Sequence, residues 1–149
     1  MTPPKIETIQ DKLFRLNEHI KFIEDIMKNT DEKIIKDPTL YFALEHMLQL
    51  SIQIILDIGA HILAEEFHEN PKSYEEVVTL LGEKGVIDKD FCNKQGGMAG
   101  FRNKLIHDYD SINKEKTLIY GRLATEVFRT FGKAYVAFIE KDSPKPLTS

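Results

Sequence analysis

The sequence predicts an all-α protein, an up-and-down bundle of four main helices and one short helix. Apolar residues recur at spacings of three, four and seven along most of the chain, without strand-like alternation. The six prolines stand between these periodic stretches or near the termini, where they separate helices. A chain of 149 residues has the size of one domain. We place that domain at residues 1–141, followed by a flexible tail at residues 142–149.

The first helix is predicted from about Lys5 to Lys28. Its apolar residues form two interleaved tracks with a seven-residue repeat, namely Ile6, Leu13, Ile20 and Met27 in one track and Ile9, Leu16 and Ile23 in the other. This period is typical of a helix that packs against neighbours in a bundle. The charged stretch from Lys28 to Lys36 is expected to be a connector.

The second helix is predicted to be the longest. Asp37 is a suitable N-cap, Pro38 suits the first helical position, and the helix runs to about His68. Apolar residues cover much of its circumference, and a helix that is apolar on two sides usually packs on two sides. We therefore expect one side to face the core and the other to form a dimer interface.

A polar series follows the same helix at four-residue spacing: Glu45, Gln49, Gln53, Asp57, His61 and Glu65. Residues four apart lie on one helix face. Two interpretations remain open from the sequence, a solvent-exposed face and the polar wall of a cleft.

The remaining elements follow from capping residues. Ser73 begins a capping box that starts a short helix ending near Gly82. Asp88 caps a fourth helix that runs to about His107, and the last helix begins near Asn113. Three glycines inside the fourth helix indicate a kink or a close backbone approach, namely Gly96, Gly97 and Gly100.

Several classes of protein are excluded by composition. A single cysteine, Cys92, rules out a disulfide framework and a Cys-rich zinc site. His61, Glu65 and His68 share a helix face, but a surface cluster is the favoured interpretation, so we predict no metal and no cofactor. No apolar run approaches the roughly 20 residues that span a membrane, and the N-terminus lacks a signal-peptide core. We therefore expect a cytoplasmic protein without a membrane partner.

One short segment, from Phe101 to Tyr109, combines side chains suited to RNA chemistry. Arg102 offers a planar fork for phosphate oxygens, and His107 is suited to proton transfer near neutral pH. Tyr109 can donate a hydrogen bond, stack on a base or accept a transferred group. On one helix, however, Arg102 and His107 are about 140° apart. Either the helix ends near His107, or a second copy of the chain completes the site; an Arg and a His that merely cap helix carbonyls are the structural alternative.

The Arg, His and Tyr of this segment form the pattern R-x4-H-x-Y, which resembles the signature of the HEPN superfamily. More specifically, the chain resembles HepT-type toxins, whose operon partners are minimal nucleotidyltransferases of the MntA type. Residues 53–62 resemble the long second helix of the family, residues 73–81 and 85–88 the segment after it, and residues 100–109 the motif helix. The resemblance covers about Leu40 to Asn113.

This resemblance implies a type VII-like toxin, a metal-independent endoribonuclease that acts as a homodimer with two motif copies in one cleft. It implies that His107 activates a ribose 2′-hydroxyl and that Arg102 stabilises the transition state. Asn103 follows the family's Arg and would position phosphate, with Asp57 in the cleft wall. Tyr109 matches the tyrosine to which an MntA-type antitoxin transfers AMP, which would block the RNA substrate, such as tRNA or mRNA.

Two other functions remain open from the sequence. One is a non-catalytic HEPN module that binds a nucleotidyltransferase as its adaptor or substrate, and the other is a dimeric helical scaffold without activity. The intact R-x4-H-x-Y pattern favours the ribonuclease over the non-catalytic module.

The distribution of charge along the chain limits the size of the surface that could bind RNA. The formal net charge is −4, whereas a stable nucleic-acid binder usually carries a basic excess. A broad RNA-binding surface is therefore not expected. From Arg102 to Arg122, however, five basic residues outnumber three acidic ones. Two such segments facing each other across a dimer would form a small positive cleft.

Overall fold

The computed structural model describes residues 3–107 and 112–142, with side chains from residue 8 to residue 107 and from residue 112 to residue 141. Seven helices and no strand occur in these residues, which confirms the all-α prediction. The helices are α1 (Pro3–Ile26), α2 (Asp31–Lys36), α3 (Pro38–Phe67), α4 (Tyr74–Glu83), α5 (Lys89–Lys94), α6 (Met98–His107) and α7 (Lys114–Asp142). Of the predicted tail, only Asp142 falls within the described residues.

Helix α3 occupies the centre of the bundle. It packs against α1, α2, α4, α6 and α7, and its fully buried residues include Leu48, Ile55 and Ile58. Helices of the same chain therefore cover much of the apolar surface of α3, and burial within the chain accounts for apolar residues on more than one side of it. The expected dimer interface on α3 stays a prediction.

Helix α3 is also long and apolar enough to cross a membrane by length and composition alone. The expectation that no apolar run approaches that length therefore does not hold for α3. Inside the protein, 56% of the relevant window is buried, and the core helix of a soluble protein has the same composition. Helix α3 is apolar because it lies at the centre of the bundle, where many of its side chains are buried.

Close packing holds α4 and α7 against α3. The Tyr135 hydroxyl on α7 donates a hydrogen bond to the Ile55 carbonyl oxygen over 2.7 Å. At Gly59, an added Cβ would lie 2.8 Å from Leu81 Cδ1 and 2.9 Å from both Val77 Cγ1 and the Tyr135 hydroxyl. A Cβ at position 59 would therefore clash with side chains of α4 and α7, and glycine lets these side chains contact the α3 backbone directly.

Helix α2 lies in the stretch expected to be a connector. The Thr30 hydroxyl oxygen caps it by accepting a hydrogen bond from the Lys33 amide over 3.1 Å. Ile34 anchors it in the core. A helix of six residues is too short to show an apolar period. The charged residues of this stretch therefore indicated a connector and not a helix.

The predicted fourth helix is divided into α5 and α6 at the glycines. Asp88 caps α5 as predicted, accepting a hydrogen bond from the Phe91 amide over 3.0 Å. The α-helical bonds stop at Gln95, and α6 begins at Met98. An added Cβ at Gly97 or Gly100 would meet no atom within 4 Å. Of the two sequence alternatives, Gly96 and Gly97 therefore mark a break in the helix, whereas Gly100 lies inside α6 and makes no close approach within the chain.

Candidate active site on helix α6

Arg102 is half-buried on α6, between the surface and the ring of Tyr74 at the start of α4. Its guanidinium carbon lies over that ring, 5.1 Å from the ring centroid. One terminal nitrogen, Nη1, donates a hydrogen bond to Asn103 Oδ1 over 2.7 Å. The Nε atom is buried and has no hydrogen-bond partner among the described residues. Arg102 therefore keeps hydrogen-bonding capacity that the chain itself does not use.

Tyr74 connects Arg102 to helix α3. The Tyr74 hydroxyl donates to Asp57 Oδ1 over 3.0 Å. The Gln53 amide nitrogen donates to the same Asp57 oxygen over 2.8 Å and to the Tyr74 hydroxyl over 2.9 Å. These three side chains form a closed triangle of hydrogen bonds, which we call the α3–α4 triangle. Asp57 thus lies beside the ring that contacts Arg102.

His107 is the last residue of α6 and is exposed. The helix is continuous from Arg102 to His107, so the two side chains leave it about 140° apart. A single chain therefore does not direct Arg102 and His107 at one atom. The structure describes α6 as far as His107. Tyr109 lies outside the described residues.

Asn103 and Lys104 are exposed on α6 together with His107. Gly100 lies on the same outward side, with open space around it. Among the residues described by the structure, no group of three His, Cys, Asp or Glu side chains could hold a metal ion. The outer side of α6 is therefore a short polar surface with positive charge from Lys104.

The opposite flank of α6 is fixed to α7 by aromatic packing. Phe101 stacks on Tyr120 with ring centroids 4.4 Å apart. Burial raises the pKa of the Tyr120 phenol well above its ordinary value, and its hydroxyl has no partner among the described side chains. Tyr120 therefore remains protonated and serves as a packing surface that sets the position of α6.

The basic residues of the segment from Arg102 to Arg122 do not all contribute to a cleft. Arg122 donates to the carbonyl oxygens of Met27 and Asn29 and pairs with Asp31. It therefore joins α7 to the connection between α1 and α2. The Lys114 ammonium lies 4.9 Å from the centroid of the Tyr41 ring. Only part of the predicted positive charge is thus available near α6.

Sequence reasoning placed Asp57 near the site but missed Gln53 and Tyr74 as members of it. Gln53 belongs to the polar series, and its four-residue spacing from Asp57 was the available signal. Tyr74 was interpreted only as the first residue of a capped helix. Ser73 does cap α4, accepting a hydrogen bond from the Glu76 amide over 3.2 Å. Of the polar series, Gln53 and Asp57 therefore lie in the α3–α4 triangle, beside the ring that contacts Arg102.

Comparisons with known proteins identify the family. The sequence model of the family described as "Ribonuclease HepT-like" matches residues 16–120. The tRNA nuclease HepT of Aphanizomenon flos-aquae is 24% identical over 151 residues, which cover 95% of this chain and 96% of that protein. The mRNA nuclease HepT of Shewanella oneidensis is 26% identical over 107 residues, which cover 72% of this chain and 80% of that protein.

Solved structures give the same result. A tri-AMPylated Shewanella oneidensis HEPN toxin in complex with an MNT antitoxin superposes with a TM-score of 0.79 at 25% identity, covering 87% of this chain and 96% of that one. The cytosolic protein YutE of Bacillus subtilis, of unknown function, superposes with a TM-score of 0.80 at 17% identity, covering 94% of both chains. The second likeness shows the fold alone.

Proposed function

We propose that this chain, which belongs to the HepT-like ribonuclease family, is the toxin of a type VII-like toxin–antitoxin pair. It cleaves RNA in the cytoplasm at a cleft formed by two copies of the chain. The observation that carries this proposal is Arg102, a guanidinium anchored by Tyr74 and Asn103 on the helix whose last described residue is exposed His107. Such a group suits an anionic substrate, as the phosphate of RNA is.

The proposed reaction is an internal transesterification that needs no metal ion. His107 of one copy accepts the proton of a ribose 2′-hydroxyl, and the 2′-oxygen bonds to phosphorus. The bond between phosphorus and the 5′-oxygen breaks, and His107 of the second copy donates a proton to that leaving oxygen. The products are a 2′,3′-cyclic phosphate and a free 5′-hydroxyl. Arg102 stabilises the charge on the phosphorane-like transition state with donors already in place, while Asn103 positions the phosphate.

Two copies are proposed because the geometry of one copy is incomplete. Arg102 and His107 diverge along α6, so a second α6 related by a two-fold axis supplies the groups that the first cannot direct at the same phosphate. The outer side of α6, with Gly100, Asn103 and His107, faces the partner in this arrangement. Asp57 lies behind Arg102 in the wall of the cleft.

Regulation is proposed to act through Tyr109, two residues after His107. An MntA-type nucleotidyltransferase transfers AMP to its hydroxyl, which adds bulk and negative charge at the mouth of the cleft and repels RNA. The structural neighbour described as a tri-AMPylated HEPN toxin with an MNT antitoxin supports this step. The substrates named for the two relatives, tRNA and mRNA, are the candidate substrates here.

The decisive experiment measures RNA cleavage by the purified chain without a nucleotidyltransferase. We expect cleavage by the unmodified protein, a strongly reduced but measurable rate in Arg102→Ala, and loss of cleavage in His107→Ala. Arg15→Ala and His46→Ala are matched controls, because both replace exposed residues on other helices, and both should cleave normally. A folded, unmodified chain that leaves tRNA and mRNA intact would contradict the proposal and favour the non-catalytic module.

A second experiment tests the regulatory step. Incubation with ATP and an MntA-type enzyme should increase the mass of the chain by one or more AMP units and stop cleavage. Tyr109→Phe should show neither the mass increase nor the loss of activity. Modification of Tyr109→Phe to the same extent would show that another residue is the acceptor.

A further inference from the structure

An arginine on the surface of a helix is usually mobile, because its four side-chain torsions are free in water. Arg102 is restrained by two contacts. The Tyr74 ring lies on one side of its guanidinium, 5.1 Å from the guanidinium carbon, and Asn103 accepts a hydrogen bond from Nη1 over 2.7 Å. The orientation of Arg102 therefore depends on where the Tyr74 ring is held.

The Tyr74 ring is itself held at both ends. Its backbone is the first residue of α4, directly after the Ser73 cap. Its hydroxyl is fixed to α3 by the α3–α4 triangle, in which it donates to Asp57 and accepts from Gln53. A ring anchored at its backbone and at its hydroxyl cannot swing away from Arg102 without breaking two hydrogen bonds.

From these contacts we infer that Tyr74 is a positioning residue for the nuclease reaction. Its ring, anchored by Asp57 and Gln53, holds the Arg102 guanidinium in the orientation that meets the scissile phosphate. The inference rests on the proposed function for its effect on catalysis. Tyr74 acts through Arg102 and does not itself touch the reacting atoms.

A ring suits this role better than a carboxylate. Arg102 forms no ion pair with any acidic side chain in the described part of the chain. A carboxylate in contact would occupy N–H donors and cancel the charge that the phosphate needs. The face of an aromatic ring attracts the guanidinium while leaving the N–H groups in its plane free. Asp57 therefore supports Arg102 through Tyr74 and leaves its charge available.

Kinetic measurements on two variants distinguish the contribution of the Tyr74 ring from that of the hydroxyl group that anchors it. Tyr74→Leu removes the ring face, and we expect kcat to fall by about tenfold to a hundredfold, since misplacing a catalytic group costs rate, with a smaller change in KM. Tyr74→Phe keeps the ring and loses only the anchor, so its kcat should lie between those of Tyr74→Leu and the wild type. Tyr120→Phe is the matched control, because it removes a hydroxyl that has no partner, and its kcat should not change.

A double variant distinguishes positioning from general damage. In an Arg102→Ala background, adding Tyr74→Leu should lower kcat no further, because the residue that Tyr74 positions is already absent. An equal fold loss in both backgrounds would overturn the inference. So would a Tyr74→Leu protein that cleaves RNA as fast as the wild type.

A readout independent of activity separates this inference from the proposed function. The Arg102 Nε–H resonance, assigned by its disappearance in Arg102→Lys, should be shifted by the ring current of Tyr74 in the NMR spectrum. Tyr74→Leu should abolish that shift, and Tyr74→Phe should keep most of it. If the shift is present but the wild type does not cleave RNA, the positioning contact stands and the proposed function fails. If Tyr74→Leu leaves the resonance unchanged, the inference fails whatever the activity.

Discussion

At the scale of single residues, Arg102 is unusual because it is anchored and yet not fully hydrogen-bonded. Buried polar atoms in folded proteins almost always have a partner, but the Nε of Arg102 has none in the described part of the chain. An unmet buried donor costs free energy, so the burial of Arg102 Nε is a cost that the fold carries at this position. The contacts with Tyr74 and Asn103 restrain the side chain, so Arg102 would lose less side-chain entropy on binding phosphate than an exposed arginine such as Arg15.

The residues of the candidate site differ in how far the sequence predicts them. Arg102 and His107 belong to one short motif on one helix, and their spacing alone indicates that they diverge. Asp57 could be placed because it belongs to a polar series within a single helix. The role of Tyr74 could not be predicted, because it depends on contacts among α3, α4 and α6. Tyr74 is 17 residues from Asp57 in the sequence and meets it only in the folded chain.

The proposed role of His107 predicts which substrates resist cleavage. An RNA with a single 2′-deoxy nucleotide at the scissile position should remain intact, because His107 then has no 2′-hydroxyl to deprotonate and no internal nucleophile forms. The measurement is gel separation of end-labelled RNA after incubation with the purified chain. The same substitution one nucleotide away is the control and should be cleaved. Cleavage at the deoxy position would require water as the nucleophile and would contradict the mechanism.

His19 on α1 predicts how stability depends on pH. Burial, followed by the charges of Arg15 and His46, lowers its pKa below the ordinary value of 6.5, with Glu18 opposing the shift. The unfolded chain then binds a proton more readily than the folded one. Stability is therefore fully present above the unfolded pKa and falls as the pH drops through 6.5 toward the lower folded pKa.

Replacing His19 by Gln should reduce this loss of stability. Urea unfolding at about pH 7.5 and about pH 5.5 measures it, since stability rises with pH wherever the unfolded state binds more protons. The wild type should lose more free energy of unfolding than His19→Gln between the two pH values. His107→Gln is the control, because His107 is exposed, and it should follow the wild type. If His19→Gln lost as much free energy of unfolding as the wild type between the two pH values, other groups would be responsible for the pH dependence.

At the scale of helices, the space around two glycines predicts opposite effects of a Gly→Ala substitution on stability. Gly59→Ala introduces a Cβ within 3 Å of Leu81, Val77 and the Tyr135 hydroxyl, and overpacking of this kind costs about 1–3 kcal/mol. Gly132→Ala on α7 meets only Leu16 Cδ2 at 3.8 Å, and it should stabilise by up to about 1 kcal/mol because Ala favours helix. Thermal unfolding measures both. A stabilised Gly59→Ala would contradict the close packing of the three helices.

The sequence predicts long helices here better than short ones. Helices α1, α3 and α7 each repeat their apolar period several times, and Asp37 and Ser73 cap α3 and α4 where predicted. Helix α2 is too short for a period to show. The division between α5 and α6 was visible as three glycines, but the sequence did not distinguish a break from a close approach. That distinction depends on what surrounds each glycine in space.

At the scale of the whole molecule, the net charge of −4 restricts where RNA can bind. Arg122 is engaged in joining helices, so one chain offers few free positive groups near α6. In the proposed cleft between two copies, Arg102 and Lys104 would each contribute twice without changing the net charge of each chain. A protein that is acidic overall then contacts phosphate at one small site and not over a broad surface.

The last prediction tests that composite cleft directly. Two differently tagged copies, one wild type and one His107→Ala, are expressed together, and the mixed dimer is isolated through both tags. If one histidine accepts the proton and the other donates it, the mixed dimer should cleave RNA no faster than the His107→Ala dimer. A mixed dimer of wild type and His46→Ala is the control and should be fully active. If each chain acted alone, the mixed His107→Ala dimer would keep about half of the wild-type rate, because one of two equivalent sites would remain intact.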